Sequence, residues 1–290
     1  MQRFKLWQNA WKNEKRFLRP VNIELPNEWD VKMLSFPADL LPQLTMEQMR
    51  AKINAPEGMP LLREYARGGK EAIIVFDDVS RGTQVQPLAE IVLEELHEAG
   101  IKKDHIRFLC ALGNHGAHTR IEFAMKLGEQ IVEEYPVFNH NPYENNRKIG
   151  EDFLGRDVLL NREYLNCDVR VGIGMVCPHP MCGYGGGGKI LFPGICSIDT
   201  TLSNHMRNED GIMGDITPNG LRDEIENMTA MAGSLFKIDA VVNSHLDTVN
   251  LFAGDALAIH RSSLEKASGY YALHYDGLKD VVVANINVKT

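Results

Sequence analysis

Apolar and polar positions alternate along this chain in a way that predicts strands and helices in turn. Residues 72–76 form a continuous apolar run that is typical of a strand buried in a parallel sheet, whereas residues 87–99 carry Leu, Ile and Val at helical spacing. The predicted strands are residues 21–25, 31–36, 72–76, 105–112, 168–176, 239–244 and 281–284. The predicted helices are residues 45–67 with a break at 55–58, 87–99, 119–134, 196–205, 218–236 and 254–270. This alternation predicts an α/β fold, a mostly parallel sheet flanked by helices and of Rossmann-like type.

Composition and charge narrow the class of protein. The 290 residues include 31 Lys and Arg against 39 Asp and Glu, a net charge of −8 without a basic stripe, so no nucleic-acid partner is expected. No apolar run reaches the roughly 20 residues of a membrane span, and residues 1–19 lack the apolar block of a secretory signal. The 5 cysteines, an odd number in a long chain, argue against a disulfide scaffold. We therefore expect a cytoplasmic enzyme without a membrane partner.

Polar residues directly follow two of the predicted strands. Asp78 and Arg81 come after the strand at 72–76; Asp accepts hydrogen bonds from hydroxyl groups, and Arg binds a carboxylate or phosphate through two donors. His115 follows the next strand between small residues, where a core histidine is not expected. Since ligands of open α/β sheets bind at the carboxyl ends of strands, these side chains are candidates for a site. The alternatives are a solvated turn for Asp78 and Arg81, and half of a metal site for His115 with His118.

A glycine-rich loop follows the predicted strand at 168–176. Four consecutive glycines, residues 185–188, precede Lys189, and backbone N–H groups without side chains nearby approach an anion closely. The glycine spacing fits a dinucleotide-binding fingerprint, a match that a run of glycines reaches easily. It also fits most of a P-loop, but Ile190 stands where Ser or Thr must bind magnesium, which argues against a phosphotransferase. Because apolar residues follow Lys189, a functional loop is favoured over a flexible linker.

Two further histidines flank this loop. His179 lies between Cys177 and Cys182 before the glycines, and His205 lies on the predicted helix after them. The spacing of Cys177, His179 and Cys182 is not that of a common zinc motif, so a zinc site is disfavoured. His205 by itself does not indicate a function.

Taken in order, four motifs resemble the N-terminal domain of the lactate racemase family, the nickel-pincer-nucleotide enzymes. The motifs are Asp78-x-x-Arg81, Ala111-Leu-Gly-Asn-His115, His179-x9-Lys189 with its glycine-rich centre, and Ser203-Asn-His205. The resemblance extends from about residue 20 to the end of the chain. It implies an N-terminal appendage at 1–19, a cofactor-binding and catalytic domain at 20–275, and at 276–290 the start of a second domain that is largely absent from this chain.

The resemblance also implies a role for each site residue. Lys189 resembles the lysine that carries the nickel-pincer nucleotide through a thioamide, and His205 resembles the nickel ligand. His115 and His179 resemble a catalytic acid/base pair. The other residues implied to hold cofactor or substrate are Asp78, Arg81, Gly186, Gly187 and Gly188.

The implied reaction is the racemisation or epimerisation of a 2-hydroxy acid. Hydride leaves C2 for the cofactor, the planar 2-oxo acid accepts it back on either face, and the two histidines move the hydroxyl proton. Imidazole suits this task because its unperturbed pKa, ~6.5, lies near neutrality. The implied partners are the 2-hydroxy acid substrate, cofactor-maturation enzymes and a second copy of the chain. The alternative function is a non-catalytic nucleotide- or cofactor-binding module that lacks the domain closing over substrate.

Overall fold

A six-stranded sheet forms the centre of the protein, with helices on both of its faces. The structure is a computed structural model, and it describes residues 1–9, 15–206, 211–217 and 219–283. The strands are β1 (Gln2–Asn9), β2 (Leu18–Leu25), β3 (Ala72–Asp77), β4 (Ile106–Ala111), β5 (Val137–Asn139), β6 (Asn146–Glu151), β7 (Asp157–Asn161), β8 (Val169–Met175), β9 (Pro178–His179), β10 (Gly183–Tyr184), β11 (Phe236–Val242) and β12 (Thr248–Asp255). The α-helices are α1 (Met46–Ile53), α2 (Leu62–Tyr65), α3 (Val85–Glu98), α4 (Arg120–Leu127), α5 (Glu129–Glu134), α6 (Arg162–Asn166), α7 (Ile198–His205), α8 (Gly220–Ala232) and α9 (Ala256–Tyr271). In the described ranges, no helix is long and apolar enough to cross a membrane.

The strands of the central sheet follow the order β12-β11-β8-β3-β4-β5. The pairings β11–β8, β8–β3, β3–β4 and β4–β5 are parallel, and only β12 runs antiparallel to its neighbour β11. Parallel neighbours need crossover connections, and helices supply most of them. The α/β fold with a mostly parallel sheet, predicted from the alternating pattern, is therefore confirmed.

The apolar run of β3 lies in the middle of the core. Successive side chains of a strand point to opposite faces of its sheet, so Ile74 and Phe76 pack with α1 to α4 on one face. Ile73 and Val75 pack with α6, α8 and the segment after the glycine loop on the other face. Every residue of β3 is buried. Burial on both faces explains why this strand lacks the alternation of a half-exposed one.

Two glycines end helices earlier than the sequence pattern predicts. Gly128, with φ +79°, separates α4 from α5, so the single helix predicted at 119–134 is wrong. Gly233, with φ +86°, follows α8, which stops at Ala232 instead of continuing to residue 236. Glycine reaches this left-handed region without steric cost, and a helix commonly ends there. Residue 218, the predicted start of this helix, lies outside the described residues.

The predicted strands also need corrections. β12 occupies the start of the predicted helix at 254–270; α9 begins only at Ala256, where the Asp255 side chain accepts hydrogen bonds from two backbone N–H groups. Residues 31–36 and 281–283 have no regular secondary structure, so the strands predicted there are wrong, and residue 284 lies outside the described residues. The hairpin formed by β6 and β7 has no counterpart among the predicted elements.

The N-terminal segment forms an antiparallel hairpin. β1 pairs with β2 along its whole length, and the predicted boundary between residues 19 and 20 falls inside β2. The Trp7 ring lies 5.5 Å from the His245 ring, edge to face, so the hairpin contacts the loop between β11 and β12. The segment predicted as an appendage thus packs against the edge of the sheet.

A buried histidine outside the cavity described below makes the stability of the fold depend on pH. His140 donates through Nε2 to the Cys196 carbonyl at 2.8 Å and accepts at Nδ1 from the Asn161 amide at 3.1 Å. Burial lowers the pKa of His140 to about 4, although the hydrogen bond to Cys196 opposes this shift. The unfolded chain therefore binds a proton near pH 6.5, whereas the folded chain does so only near pH 4.

We expect the free energy of unfolding to fall by on the order of 3 kcal/mol between pH 6.5 and 4 through His140, since each pKa unit is worth about 1.4 kcal/mol. The stabilisation is fully present above pH 6.5 and is lost as the pH falls. Urea titrations of the wild type and His140→Gln across this range measure it. The variant should show the flatter pH dependence, and two parallel curves would refute the assignment.

Candidate active site

One cavity gathers most of the residues predicted from the sequence. It has a volume of about 260 Å³ and lies at the carboxyl edge of the sheet, where β3, β4 and β8 end; Lys237 and Asp239 of β11 also line it. Gly187 and Gly188 face away from it, toward α8 and α9. Seven of the nine predicted residues line the cavity: Asp78, Arg81, His115, His179, Gly186, Lys189 and His205.

Asp78 and His115, 37 residues apart in the chain, form a hydrogen-bonded pair. Nδ1 of His115 lies 2.5 Å from Oδ2 of Asp78, and Oδ1 of Asp78 accepts from the backbone N–H and the hydroxyl of Ser80. Burial alone would raise the pKa of Asp78, but the hydrogen bonds from His115 and Ser80 and the nearby charges lower it to about 2. Asp78 is therefore a carboxylate that fixes the partly exposed ring of His115 at the cavity.

Lys189 and His179 form a second pair. Nζ of Lys189 lies 2.9 Å from Nε2 of His179 and 3.5 Å from Sγ of Cys182. The backbone N–H of Met181 donates to Nδ1 of His179 at 3.2 Å, which favours a neutral ring with its proton on Nε2. A neutral ring that donates through Nε2 needs a lone pair on Nζ, so this geometry favours an uncharged lysine.

The surroundings of Lys189 support an uncharged amine. Burial lowers its pKa, and the charges of Arg222 and Arg81 lower it further, against an opposing effect of Cys182. Among the described residues, no carboxylate lies within 4.0 Å of Nζ. Lys237, which lines the same cavity, differs because its Nζ lies 2.5 Å from Oδ1 of Asp239. The cavity thus holds one paired lysine and one lysine without an acidic partner.

The glycine loop is fixed from behind and is not a flexible linker. The N–H of Gly187 donates to Oδ2 of Asp239 at 2.6 Å, and Arg222 donates to the carbonyl of Gly186 at 3.2 Å. A Cβ atom on Gly188 would lie 1.9 Å from Oγ1 of Thr229 in α8, so glycine is required there on steric grounds. Because Asp239 takes the Gly187 N–H, that group is not available to a phosphate, which argues against the P-loop interpretation.

Three charged residues of this arrangement were missed from the sequence. Lys237 and Asp239 lie within the buried strand β11, and Arg222 lies on the buried face of α8. The sequence did contain a signal for Lys237 and Asp239: both are charged residues in an otherwise apolar strand pattern. Charged residues are rarely buried unless they are paired, so this pattern indicates a buried ion pair. Asp77, the last residue of β3, also lines the cavity and is paired with the buried Lys126 at 2.7 Å.

His205 occupies the last turn of α7 and lines the same cavity. Its Nδ1 donates to the carbonyl of Thr201 at 2.9 Å, which leaves the Nε2 lone pair available to a metal ion. Burial lowers the pKa of His205, against an opposing effect of its hydrogen bond to Thr201, which favours a neutral ring. The His205 ring can therefore offer one metal ligand, its Nε2 atom.

The cysteines do not form a metal centre with His179. In the described part of the chain, no group of three His, Cys, Asp or Glu side chains is placed to bind a metal ion together. All 5 cysteines are free thiols, and burial raises the pKa of Cys177, which lines the cavity.

The fold and the cavity define an α/β protein with a polar cavity at the carboxyl edge of a mostly parallel sheet, beside a fixed glycine loop. Residues 19–211 match the lactate racemase N-terminal domain family, and the chain belongs to this family. The recognition of the family from its four motifs is thereby confirmed.

Two curated relatives share the resemblance. The chain is 26% identical over 243 residues to the lactate racemase of Thermoanaerobacterium thermosaccharolyticum, a match that covers 82% of this chain and 57% of that protein. It is 27% identical over 221 residues to the lactate racemase of Lactiplantibacillus plantarum, with 74% and 52% covered. The chain therefore spans about half the length of the curated relatives it matches.

Solved structures show the same fold. The lactate racemase apoprotein of Thermoanaerobacterium thermosaccharolyticum superimposes with a TM-score of 0.79 at 23% identity, over 94% of this chain and 63% of that one. A protein from Thermotoga maritima superimposes with a TM-score of 0.62 at 22% identity, over 79% of this chain and 59% of that one. At these identities the likeness concerns the fold alone.

Proposed function

We propose that this chain is the cofactor-carrying and catalytic part of a racemase or epimerase of 2-hydroxy acids. The observation that carries the proposal is that four side chains line one cavity. They are Lys189, which has no acidic partner among the described residues, His205, whose Nε2 lone pair is available to a metal ion, and the histidines His115 and His179. The curated relatives named above are lactate racemases, which supports a small 2-hydroxy acid as the substrate class.

The residues present fit the nickel-pincer nucleotide that the family resemblance implies. Lys189 offers an amine for a thioamide link, and His205 offers one nitrogen lone pair to nickel, whose remaining ligands the nucleotide would bring. Gly186, at φ +92°, lines the cavity, and an added Cβ there would lie 2.9 Å from Oδ2 of Asp239. When bound, the group supplies the acceptor and donor of hydride.

The protein's own residues then handle protons and orientation. We assign His115, held by Asp78, to exchange the hydroxyl proton of one enantiomer, and His179 to exchange that of the other. The guanidinium of Arg81 lines the cavity and is suited to bind the substrate carboxylate through two donors. In this assignment Asp78 positions a base, and Arg81 holds the substrate.

Replacing Asp78 by Asn tests the positioning role. The amide retains the size of the side chain but has a single acceptor oxygen and no charge, so His115 loses the partner that fixes its tautomer. We expect kcat to fall by about 10²–10⁴-fold with little change in KM. Steady-state kinetics on the loaded chain measure both constants. A change confined to KM would instead indicate that Asp78 binds substrate or cofactor and does not position His115.

The proposed reaction is tested with the full chain after co-expression with cofactor-maturation enzymes. L-lactate and D-lactate, followed by a panel of larger 2-hydroxy acids, are incubated with the loaded protein and analysed by chiral chromatography. We expect interconversion with deuterium retained at C2, because hydride transfer does not exchange with solvent. Rapid loss of C2 deuterium to water would exclude this mechanism. A chain that takes up cofactor but racemises nothing would be the non-catalytic module instead.

The proposed partners follow from this function. They are the 2-hydroxy acid, the enzymes that assemble the cofactor and a second copy of the chain, with neither nucleic acid nor membrane among them. The free thiols of all 5 cysteines support a reducing compartment such as the cytoplasm.

A further inference from the structure

The cavity combines a buried lysine amine with a candidate proton carrier. Nζ of Lys189 lies 2.9 Å from Nε2 of His179 and 3.5 Å from Sγ of Cys182, and burial lowers the pKa of Lys189. Most lysine side chains are ammonium ions that cannot attack a carbonyl carbon, whereas a desolvated lysine without an acidic partner is a nucleophile. Lys237 in the same cavity shows the contrast, because Asp239 keeps its Nζ in an ion pair.

The same cavity contains an anion-binding group. Arg81 lines it, and its guanidinium makes no side-chain hydrogen bond or ion pair with the residues that the structure describes. The charge of Arg81 lowers the pKa values of Lys189, Asp78 and Cys177, so the guanidinium lies near all three side chains. Amine, imidazole and guanidinium together form a site for a small molecule that carries both a carbonyl and a carboxylate.

We propose that the cofactor-free protein captures 2-oxo acids as an imine at Lys189, with Arg81 holding the carboxylate. This activity goes beyond the racemase function and requires neither nickel nor nucleotide. Only the side chains of Lys189, His179 and Arg81 take part. An imine at Lys189 also occupies the amine that the cofactor needs, so 2-oxo acids should delay cofactor loading.

The condensation is balanced within the cavity. The lone pair of Nζ forms the N–C bond to the carbonyl carbon, and the carbonyl oxygen becomes a hydroxyl group. The nitrogen gives up both of its protons, the C–O bond breaks, and the oxygen leaves as water with these protons. His179, whose Nε2 lies 2.9 Å from Nζ, gives its Nε2 proton to the carbonyl oxygen and takes a proton back from the nitrogen at the same atom, so the ring returns to its starting form. The step consumes no oxidant or reductant, and water reverses it.

Reductive trapping tests the proposal on the full chain produced without maturation enzymes. The protein is incubated with glyoxylate or pyruvate and cyanoborohydride, and intact mass and peptide mapping locate the adduct. We expect one saturable adduct at Lys189 that forms at least about tenfold faster than adducts on exposed lysines, because general acid–base assistance is confined to this site. Lys237 is the internal control and should remain unmodified, since its amine is paired.

Variants separate the three roles. Lys189→Arg should lose the adduct, and His179→Gln should form it about tenfold or more slowly. Arg81→Gln should weaken capture of glyoxylate more than capture of propanal, because propanal has no carboxylate and loses only the effect of the Arg81 charge on the pKa of Lys189. Equal labelling of Lys189 and exposed lysines in the wild type overturns the proposal, whatever the variants do. An equal effect of Arg81→Gln on both reagents overturns the carboxylate contact. Neither outcome bears on racemisation by the loaded chain.

Discussion

Replacing His115 by Gln is expected to lower kcat of the cofactor-loaded chain by about 10²–10⁴-fold, the range for loss of a general acid/base. His115 is the histidine whose ring a buried carboxylate holds in place at the cavity, and glutamine neither accepts nor releases a proton near neutral pH. The measurement is the initial rate of racemisation starting from each enantiomer.

A matched control lies at the opposite end of β4. His105 also pairs with a carboxylate, with its Nδ1 2.6 Å from Oε1 of Glu71, but it precedes the strand and is remote from the carboxyl edge. His105→Gln should therefore racemise at the wild-type rate. If both variants lose activity equally, the effect of His115→Gln is structural, and the assignment of His115 as a base is wrong.

Replacing Gly187 by Ala is expected to destabilise the fold by about 2–5 kcal/mol. The residue has φ +56°, where an L-residue other than glycine costs roughly 1–2 kcal/mol, and the added methyl group adds an overpacking cost of about 1–3 kcal/mol. Its Cβ would lie 2.8 Å from Nη2 of Arg222, 2.8 Å from Cβ of His260 and 3.0 Å from the carbonyl of Ala256. Urea unfolding measures the loss.

Gly269 provides the control for this substitution. It lies near the end of α9, and an added Cβ would meet nothing within 4 Å. Gly269→Ala should therefore stabilise the fold by roughly 0.5–1 kcal/mol, as alanine does in an exposed helix position. The two variants should thus shift the unfolding midpoint in opposite directions. A stable Gly187→Ala protein would show that the loop has room to move, contrary to the contacts described here.

Residues at strand ends were predictable because parallel strands finish at one edge. The positions of Asp78, His115 and the loop before Lys189 in the sequence follow three strands, and their meeting in one cavity follows from that topology. The pairing of Asp78 with His115 was not predictable, since it depends on the register of β3 against β4 and on the turn at Ser80.

Two strands, β12 and β1, were not predicted from the sequence because tertiary contacts override the local pattern of apolar and polar residues. The last two residues of β12 were predicted as the start of a helix, and residues 248–253 were not predicted as a strand. The whole segment nevertheless pairs antiparallel with β11 at this edge of the sheet. Likewise β1 lacks a clear alternation and forms a strand only because β2 offers a partner along its full length. Strand formation of this kind depends on the neighbour more than on the intrinsic preference of the residues.

The support behind the glycine loop was likewise hidden from sequence. Asp239 was predicted as part of a buried strand, but nothing in the spacing shows that its carboxylate binds the N–H of Gly187, 52 residues earlier. The predicted glycine loop is thus correct in place, whereas the contacts that hold it come from β11 and α8.

The central claim is that Lys189 carries the cofactor beside His205. The most direct measurement is the intact mass and nickel content of the chain after co-expression with cofactor-maturation enzymes, for the wild type and Lys189→Ala. We expect one covalent adduct mapped to Lys189 and bound nickel in the wild type, and no adduct in Lys189→Ala. A wild-type chain with neither adduct nor nickel, or an adduct that persists in Lys189→Ala, would show that Lys189 does not carry the cofactor.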